Sequence, residues 1–425
     1  MEITPPLSVP YLGFSPRHSF FTGIHDPLHA RVLHITGPEG EFVLVNADLI
    51  GLADTLLGEG RRFASELREA VGRASGIPAA AILLASSHIH STPDTLDFRP
   101  LREAQGAVGW LEDLKDKIVS AVGAARRNGF EARLRAGAAV FSGFSKNRRG
   151  EPCLDEEVTL LVFESFDRVH KVLLANYACH PVIVQVQELV SADYVGAMQR
   201  TVERELEGCD ACLFLQGACG DINPLVDDSR DFRDVDVFGA ALAGSILDLE
   251  RILAESGTAE PVLARAASET IHLPSRALPD ARESEKLIHE TSRLKNALDS
   301  TVSTEGREKT AAAIRRNEEK IARIGEGNGP FAAEIQAVRL GNSIIAAIPG
   351  EPFCRMGMEI KRLAKPLRGI PVGYANGYLG YIVPPDSWER GGYEVELGPW
   401  SKVGPESYGL AIDSIDRLMK KVTTV

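Results

Sequence analysis

The chain has 425 residues, 44% of them hydrophobic, which suffices for a large packed core and is too apolar for a disordered chain. Its 59 acidic residues outnumber 47 basic ones, and the net charge of −12 disfavours nucleic acid and anionic membrane surfaces. No apolar run approaches the roughly 18–20 residues that span a bilayer, Met1 to Pro16 lacks the pattern of a signal peptide, and six cysteines are too sparse for a disulfide scaffold. A cytoplasmic protein is expected.

Strand and helix patterns alternate along the chain, which predicts an α/β architecture, a mixed β-sheet core flanked by helices. Residues 31–36 and 42–47 read as strands joined by a turn at 37–40. A helix is expected over 57–75, then a short, wholly apolar strand at 81–86 that should be buried on both faces. A helix near 109–128 precedes strands near 134–141, 158–163 and 172–177. A helix at 192–206, a buried strand at 211–216, a helix at 238–253 and a strand at 262–273 follow. The stretch 281–325 is charged and proline-free, with Leu287, Thr291, Leu294 and Leu298 on one helical stripe and Ile314, Ile321 and Ile324 on another. It reads as a helical hairpin inserted in the α/β body, capped by Ser303 or Thr304 and ended by Gly325. The same spacing would also serve a dimerisation arm joining two copies of the chain. Strands at 333–340 and 343–348 and a helix near 408–421 complete the order.

Chemistry-bearing residues gather where strands end. Leu83-Leu84-Ala85-Ser86-Ser87-His88-Ile89-His90 runs from an apolar strand into two histidines. Residues two apart in an extended chain project to one side, so His88 and His90 can face one site. Imidazole is the commonest zinc ligand, although an isolated H-x-H also occurs as hydrogen-bonded surface histidine. A second buried strand ends in Ala178-Cys179-His180-Pro181, where the proline bars a helical conformation at His180. Ligands in open α/β sheets bind outside the carboxyl ends of strands, so the two histidine-bearing ends point to a shared site. A third strand leads into Gly217-Ala218-Cys219-Gly220-Asp221, either an ordinary tight turn with Asp221 bonding its own backbone or an anion-binding loop. Glu351, in Ile348-Pro349-Gly350-Glu351-Pro352, is either a helix-start carboxylate or the anionic ligand that two neutral histidines leave wanting. Tyr374, Tyr378, Tyr381 and Tyr393 suggest the wall of a polar cavity, or aromatic packing. His25 and His29 are weaker candidates for the same cavity. Cys209 and Cys212 form a C-x-x-C that reads as small buried thiols rather than a redox or zinc pair. Neither H-E-x-x-H nor G-x-S-x-G occurs, nor a Walker-type phosphate loop.

Taken in order, these motifs resemble the N-terminal catalytic domain of the neutral/alkaline, non-lysosomal ceramidase family. The resemblance runs from Gly23-Ile24 and Asn46-Ala47-Asp48 through Ser87-His88-Ile89-His90-Ser91, Asn147-Arg148 and Ala178-Cys179-His180-Pro181. It continues through Ser191-Ala192-Asp193-Tyr194 and Gly217-Ala218-Cys219-Gly220-Asp221 to Pro349-Gly350-Glu351 and the pair Tyr381 and Tyr393. It implies a single α/β catalytic domain over 1–425, without the family's C-terminal immunoglobulin-like domain. It implies a zinc-dependent amide hydrolase with His88, His180, Glu351 and Tyr381 holding Zn2+. His90 and Tyr393 would lie beside the attacking water and the substrate oxygen, and Arg148 would line the site. Asn223 stands where the family carries a functional serine. That departure opens a small non-lipid amide or ester as the alternative to a lipid-like amide substrate, and a non-catalytic metal-binding relative as a third reading.

Overall fold

Strand Gly40–Ala47 explains the architecture best. Its side chains alternate between two buried environments: Phe42 and Leu44 enter one core, Val43, Val45 and Ala47 another. A strand buried on both faces must lie inside a layered fold. In the computed structural model, which describes residues 1–11, 20–58, 60–98, 101–300 and 303–424, three principal sheets meet around that first core.

The first sheet orders Ala30–Gly37, Gly40–Ala47 and Ile82–Ser86, the last two parallel. The second orders Cys209–Gln216, Lys171–Tyr177, Glu157–Ser165 and Ala132–Val140, with only the first two parallel. The third orders Ala264–Leu273, Phe331–Leu340, Ser343–Ala347 and Arg368–Val372, again with one parallel pair, 343–347 against 368–372. Leu44, Leu83, Leu161, Leu174, Leu213, Val338, Ile345 and Ile370, drawn from all three, pack into one cluster between them. Helices Phe63–Ser75, Ala107–Arg127, Asp193–Glu205 and Phe232–Ser256 cover the far side of the first two sheets. Helices Cys354–Leu363 and Glu406–Thr423 cover that of the third. The result is the expected α/β fold with mixed sheets.

The charged insertion forms two helices, Ala281–Ser300 and Thr304–Gly325, linked by the Lys295–Glu318 ion pair at 2.7 Å. Ser303 caps the second by accepting from Gly306 N. Arg323 roots the hairpin: wholly buried, it donates to Ser275 Oγ and to the Lys402 carbonyl.

Two expectations are corrected. The helix expected from 57 starts at Phe63, because Gly58 and Gly60 adopt positive φ and leave Asp54–Leu57 as a separate 3-10 turn. His25 and His29 do not join the cavity: His25 stacks on Phe232 at 3.6 Å, and His29 lies beside Asp48, which accepts its backbone N–H.

Candidate metal centre

Segments that follow parallel-paired strands deliver the site's side chains. His88 follows Ile82–Ser86, His180 follows Lys171–Tyr177, Glu351 follows Ser343–Ala347, and Tyr374 follows Arg368–Val372. Buried Gln216, at the end of a third strand, ties the two histidine segments together. Its amide donates to the carbonyls of Ser87 and Cys179, and its carbonyl accepts from Cys179 N and Gly217 N.

His88, His90 and His180 are all buried, and their ring nitrogens lie within 4.8 Å of one another, so the three can hold a metal ion. Simple strand alternation does not produce this convergence. The strand ends at Ser86, and His88 takes φ 63°, a left-handed backbone that a residue with a side chain adopts at a cost. That turn sets His88 Nε2 3.2 Å from His90 Nε2. The His88 and His180 rings are each aimed through the other nitrogen: His88 Nδ1 donates to the Ile50 carbonyl at 2.7 Å, His180 Nδ1 to the Ile222 carbonyl at 3.1 Å. Such a bond fixes the tautomer and leaves Nε2 with its lone pair outward.

Glu351 closes the cluster. Its Oε2 stands 3.3 Å from both His88 Nε2 and His180 Nε2. His180 Nε2 is wholly buried, and its nearest charged neighbour is the Glu351 carboxylate at 3.3 Å. A buried imidazole nitrogen set beside a buried carboxylate is a donor pair suited to a metal ion. The distances agree: ligand atoms about 2.0–2.1 Å from a tetrahedral zinc stand about 3.3 Å apart. Burial pushes the His180 pKa down to about 4, with Arg148 and His88 acting the same way and Glu351 opposing. Burial alone would raise the Glu351 carboxyl, but His88 and His180 outweigh it and hold it well below the usual range. A neutral imidazole and an ionised carboxylate are the states that metal binding requires. The residues fit a divalent ion.

Two tyrosines with no assigned role orient that carboxylate. Tyr378 donates to Glu351 Oε1 and Tyr374 to Oε2 at 3.3 Å, while Tyr374 also stacks on the His88 ring at 3.7 Å. Tyr381 arrives by a different route. Glu351–Pro352 and Tyr381–Ile382 form a two-residue parallel pair with Glu351 opposite Tyr381, and partners in register share a face. The Tyr381 hydroxyl accepts from Arg148 Nη2 at 3.0 Å.

Arg148 is the hub of the outer site. It donates also to Glu394, to the Gly220 carbonyl and to Asn223 Oδ1, and its guanidinium lies about as far from the Tyr393 ring, 6.0 Å, as from that of Tyr381, 5.5 Å. Asn223 gives its amide to Asp227. Tyr393 stacks on Trp400 at 4.7 Å and remains 44% exposed, facing a cleft of about 610 Å³ lined by Arg148, Arg149, Glu151, Arg390 and Glu394. Two N–H groups of the glycine-rich turn are taken by backbone: Gly217 N donates to Tyr177 O and Gly220 N to Pro352 O. Asp221 bonds its own backbone as expected, and its carboxylate also reaches Cys354 N and Asn147. The glycines are required by the close approach of protein backbone, since a Cβ on Gly220 would meet the Glu351 carbonyl at 2.7 Å.

No protein-family model matches the chain. A neutral ceramidase of Mycobacterium tuberculosis is 33% identical over 82 residues, a stretch covering 17% of this chain and 13% of that relative. The crystal structure of neutral ceramidase from Pseudomonas aeruginosa superposes with a TM-score of 0.71 at 18% identity, over 100% of this chain and 74% of that one. A ceramidase complexed with C2 gives 0.70 at 16% identity, over 98% of this chain and 73% of that one. At such identities the likeness is one of fold, and the fold is that of the neutral ceramidases. The resemblance read from the ordered motifs agrees with it.

Proposed function

We propose that the chain is a zinc-dependent hydrolase of the neutral ceramidase type that cleaves an amide. The observation that carries this reading is the buried cluster in which Glu351 Oε2 stands 3.3 Å from both His88 Nε2 and His180 Nε2, a ligand-to-ligand spacing. His88, His180, Glu351 and Tyr381 would hold Zn2+. Zinc bound there would supply Lewis-acid polarisation and hydroxide at neutral pH, by lowering the pKa of water toward ~7. His90, at the inner edge of the cluster, takes the proton of the attacking water and returns it to the leaving amine. Arg148, cationic and committed to Tyr381, steadies the carbonyl oxygen as it gains charge, and Tyr393, exposed to the cleft, donates to the same oxygen. Asn223 holds the Arg148 guanidinium in place through its carbonyl.

Two specific observations favour second readings. His90 Nε2 lies at a ligand-to-ligand distance from His88 Nε2, which suits His90 as a third imidazole ligand in place of Tyr381. Arg148, Arg149, Glu151, Arg390 and Glu394 give the cleft charged groups beside Pro152 and Tyr393, which suits a small polar amide or ester.

A panel of short and long N-acyl amides and matched esters, assayed on the zinc-loaded chain and on Tyr393→Phe, tests the function. Hydrolysis by the wild type, with turnover about 100-fold lower in Tyr393→Phe and unchanged thermal stability, is expected. No hydrolysis of any member by a zinc-loaded chain would leave a metal-binding protein without this activity.

A further inference from the structure

Two cysteines with no part in the proposed chemistry stand against each other. Cys153 lies in the loop beyond Arg148, and Cys354 opens the helix Cys354–Leu363, three residues after Glu351. Their sulfurs are 3.2 Å apart although 201 positions separate them along the chain, and both are free thiols. The backbone near each is fixed to one carboxylate. Asp221 Oδ1 accepts from Cys354 N at 2.7 Å and Oδ2 from Asn147 Nδ2 at 2.7 Å, and the same Asn147 amide donates to the Cys153 carbonyl. The pair is therefore held together by main-chain anchors.

We infer that Cys153 and Cys354 are a site of reversible disulfide formation by exchange with a small-molecule disulfide of the glutathione class. The two thiols differ in the way such exchange needs. Cys153 is half-buried and can be reached, whereas Cys354 is buried. Contact with Cys354 lowers the Cys153 thiol pKa, and contact with Cys153, together with burial, raises that of Cys354. Cys153 is the attacking thiolate and Cys354 the resolving thiol. Cys153 attacks one sulfur of glutathione disulfide, forming a mixed disulfide and expelling one glutathione thiolate. Cys354 then gives up its proton and attacks the Cys153 sulfur, closing the internal bond and expelling the second glutathione. Two electrons pass from the cysteines to the glutathione disulfide, and the two thiol protons end on the two released thiols.

The other four cysteines lack this setting. Burial raises the thiol pKa of Cys179, Cys212 and Cys219 and pushes Cys209 up to about 12, which makes them poor nucleophiles. The exchange does not depend on the zinc reading, but one consequence rests on it. Closing the sulfurs to about 2.05 Å draws Cys354 and the segment behind Glu351 toward the Arg148 loop by on the order of 1 Å. Zinc affinity should fall about tenfold on oxidation, because metal sites tolerate displacements of only about 0.2 Å.

The full chain, with and without zinc, would be equilibrated in graded glutathione and glutathione disulfide buffers, alkylated and digested. The expected result is loss of two of the six alkylatable thiols and a peptide joining Cys153 to Cys354, reversed by dithiothreitol. Cys153→Ser should abolish it, and Cys354→Ser should trap glutathione on Cys153. Cross-links scattered among all the cysteines, or none in the folded chain where the urea-unfolded chain oxidises, would overturn the proposal. A zinc titration of the cross-linked chain separates the two ideas: weaker binding ties the site to Glu351, unchanged binding refutes that tie alone, and no binding in either redox form defeats the metal reading.

Discussion

Replacing Gly220 by alanine should damage a metal site that Gly220 never touches. The added Cβ would stand 2.7 Å from the Glu351 carbonyl oxygen, 3.0 Å from that of Pro352 and 3.2 Å from the Phe353 ring. Ordinary contact begins at 3.4 Å, so the Glu351–Phe353 segment would have to retreat by roughly 0.7 Å, backbone against backbone. Overpacking of this kind costs about 1–3 kcal/mol. The same retreat moves Glu351 Oε2, now 3.3 Å from both imidazoles, by several times the ~0.2 Å that metal–ligand bonds allow. Zinc affinity should fall on the order of 10–100-fold. Competition against a fluorescent chelator would read the affinity, and urea unfolding in EDTA the stability. Gly244→Ala serves as the control, because Gly244 is exposed in helix Phe232–Ser256 with open space around it. That change should leave zinc binding alone and stabilise the chain by about 0.5–1 kcal/mol through helix propensity. If Gly220→Ala matches the wild type in both assays, the close approach of these two segments does not set the position of Glu351.

Tyr378→Phe removes the donor to Glu351 Oε1 and should lower zinc affinity about 10-fold in a chelator titration, while changing stability by only about 1 kcal/mol. Gln216→Leu should cost about 2–3 kcal/mol in urea unfolding, because losing the strap between the two histidine segments takes away the partner of the Ser87 carbonyl and of the Cys179 N–H. Asp193 is pushed up to about 7 by burial, against the hydrogen bonds of Tyr194 and Val184 N–H and with Asp26 adding to the rise. With the unfolded value near 3.9, the folded state binds more protons between about pH 4 and pH 7, so this group lowers stability as pH rises through that window, by up to ~4 kcal/mol. Metal-free urea unfolding at pH 5 and pH 8 should show a pH dependence that shrinks in Asp193→Asn; identical slopes would exclude Asp193 as its source.

What was legible in the sequence was whatever periodicity and strand ends record. The two-faced burial of 82–86 follows from an unbroken apolar run, and the apolar-to-histidine transitions at 88 and 180 mark carboxyl ends of strands. The hairpin was visible in its charged composition. Long-range geometry was not. Tyr374 and Tyr378 act on Glu351 through hydroxyls carried by a glycine-rich loop with no period of its own. The pairing of Glu351 with Tyr381 spans two residues, too short for any strand pattern. Gln216 reads as the polar end of an apolar strand, and only coordinates reveal three bonds to two other segments. His88 illustrates a right outcome for a different reason: the rings converge through a left-handed turn, not through the alternation of an extended chain.

The central claim is that a buried cluster of side chains from distant strand ends binds one divalent ion. Elemental analysis of the dialysed chain, alongside His88→Ala, His180→Ala, Glu351→Gln and His90→Ala, measures it directly. The wild type should carry about one equivalent of zinc, lost in His88→Ala and His180→Ala and reduced in Glu351→Gln. Retention in His90→Ala assigns that ring to proton transfer, and loss assigns it to the metal. Full zinc in both His88→Ala and His180→Ala, or none in the wild type after loading, would contradict the claim.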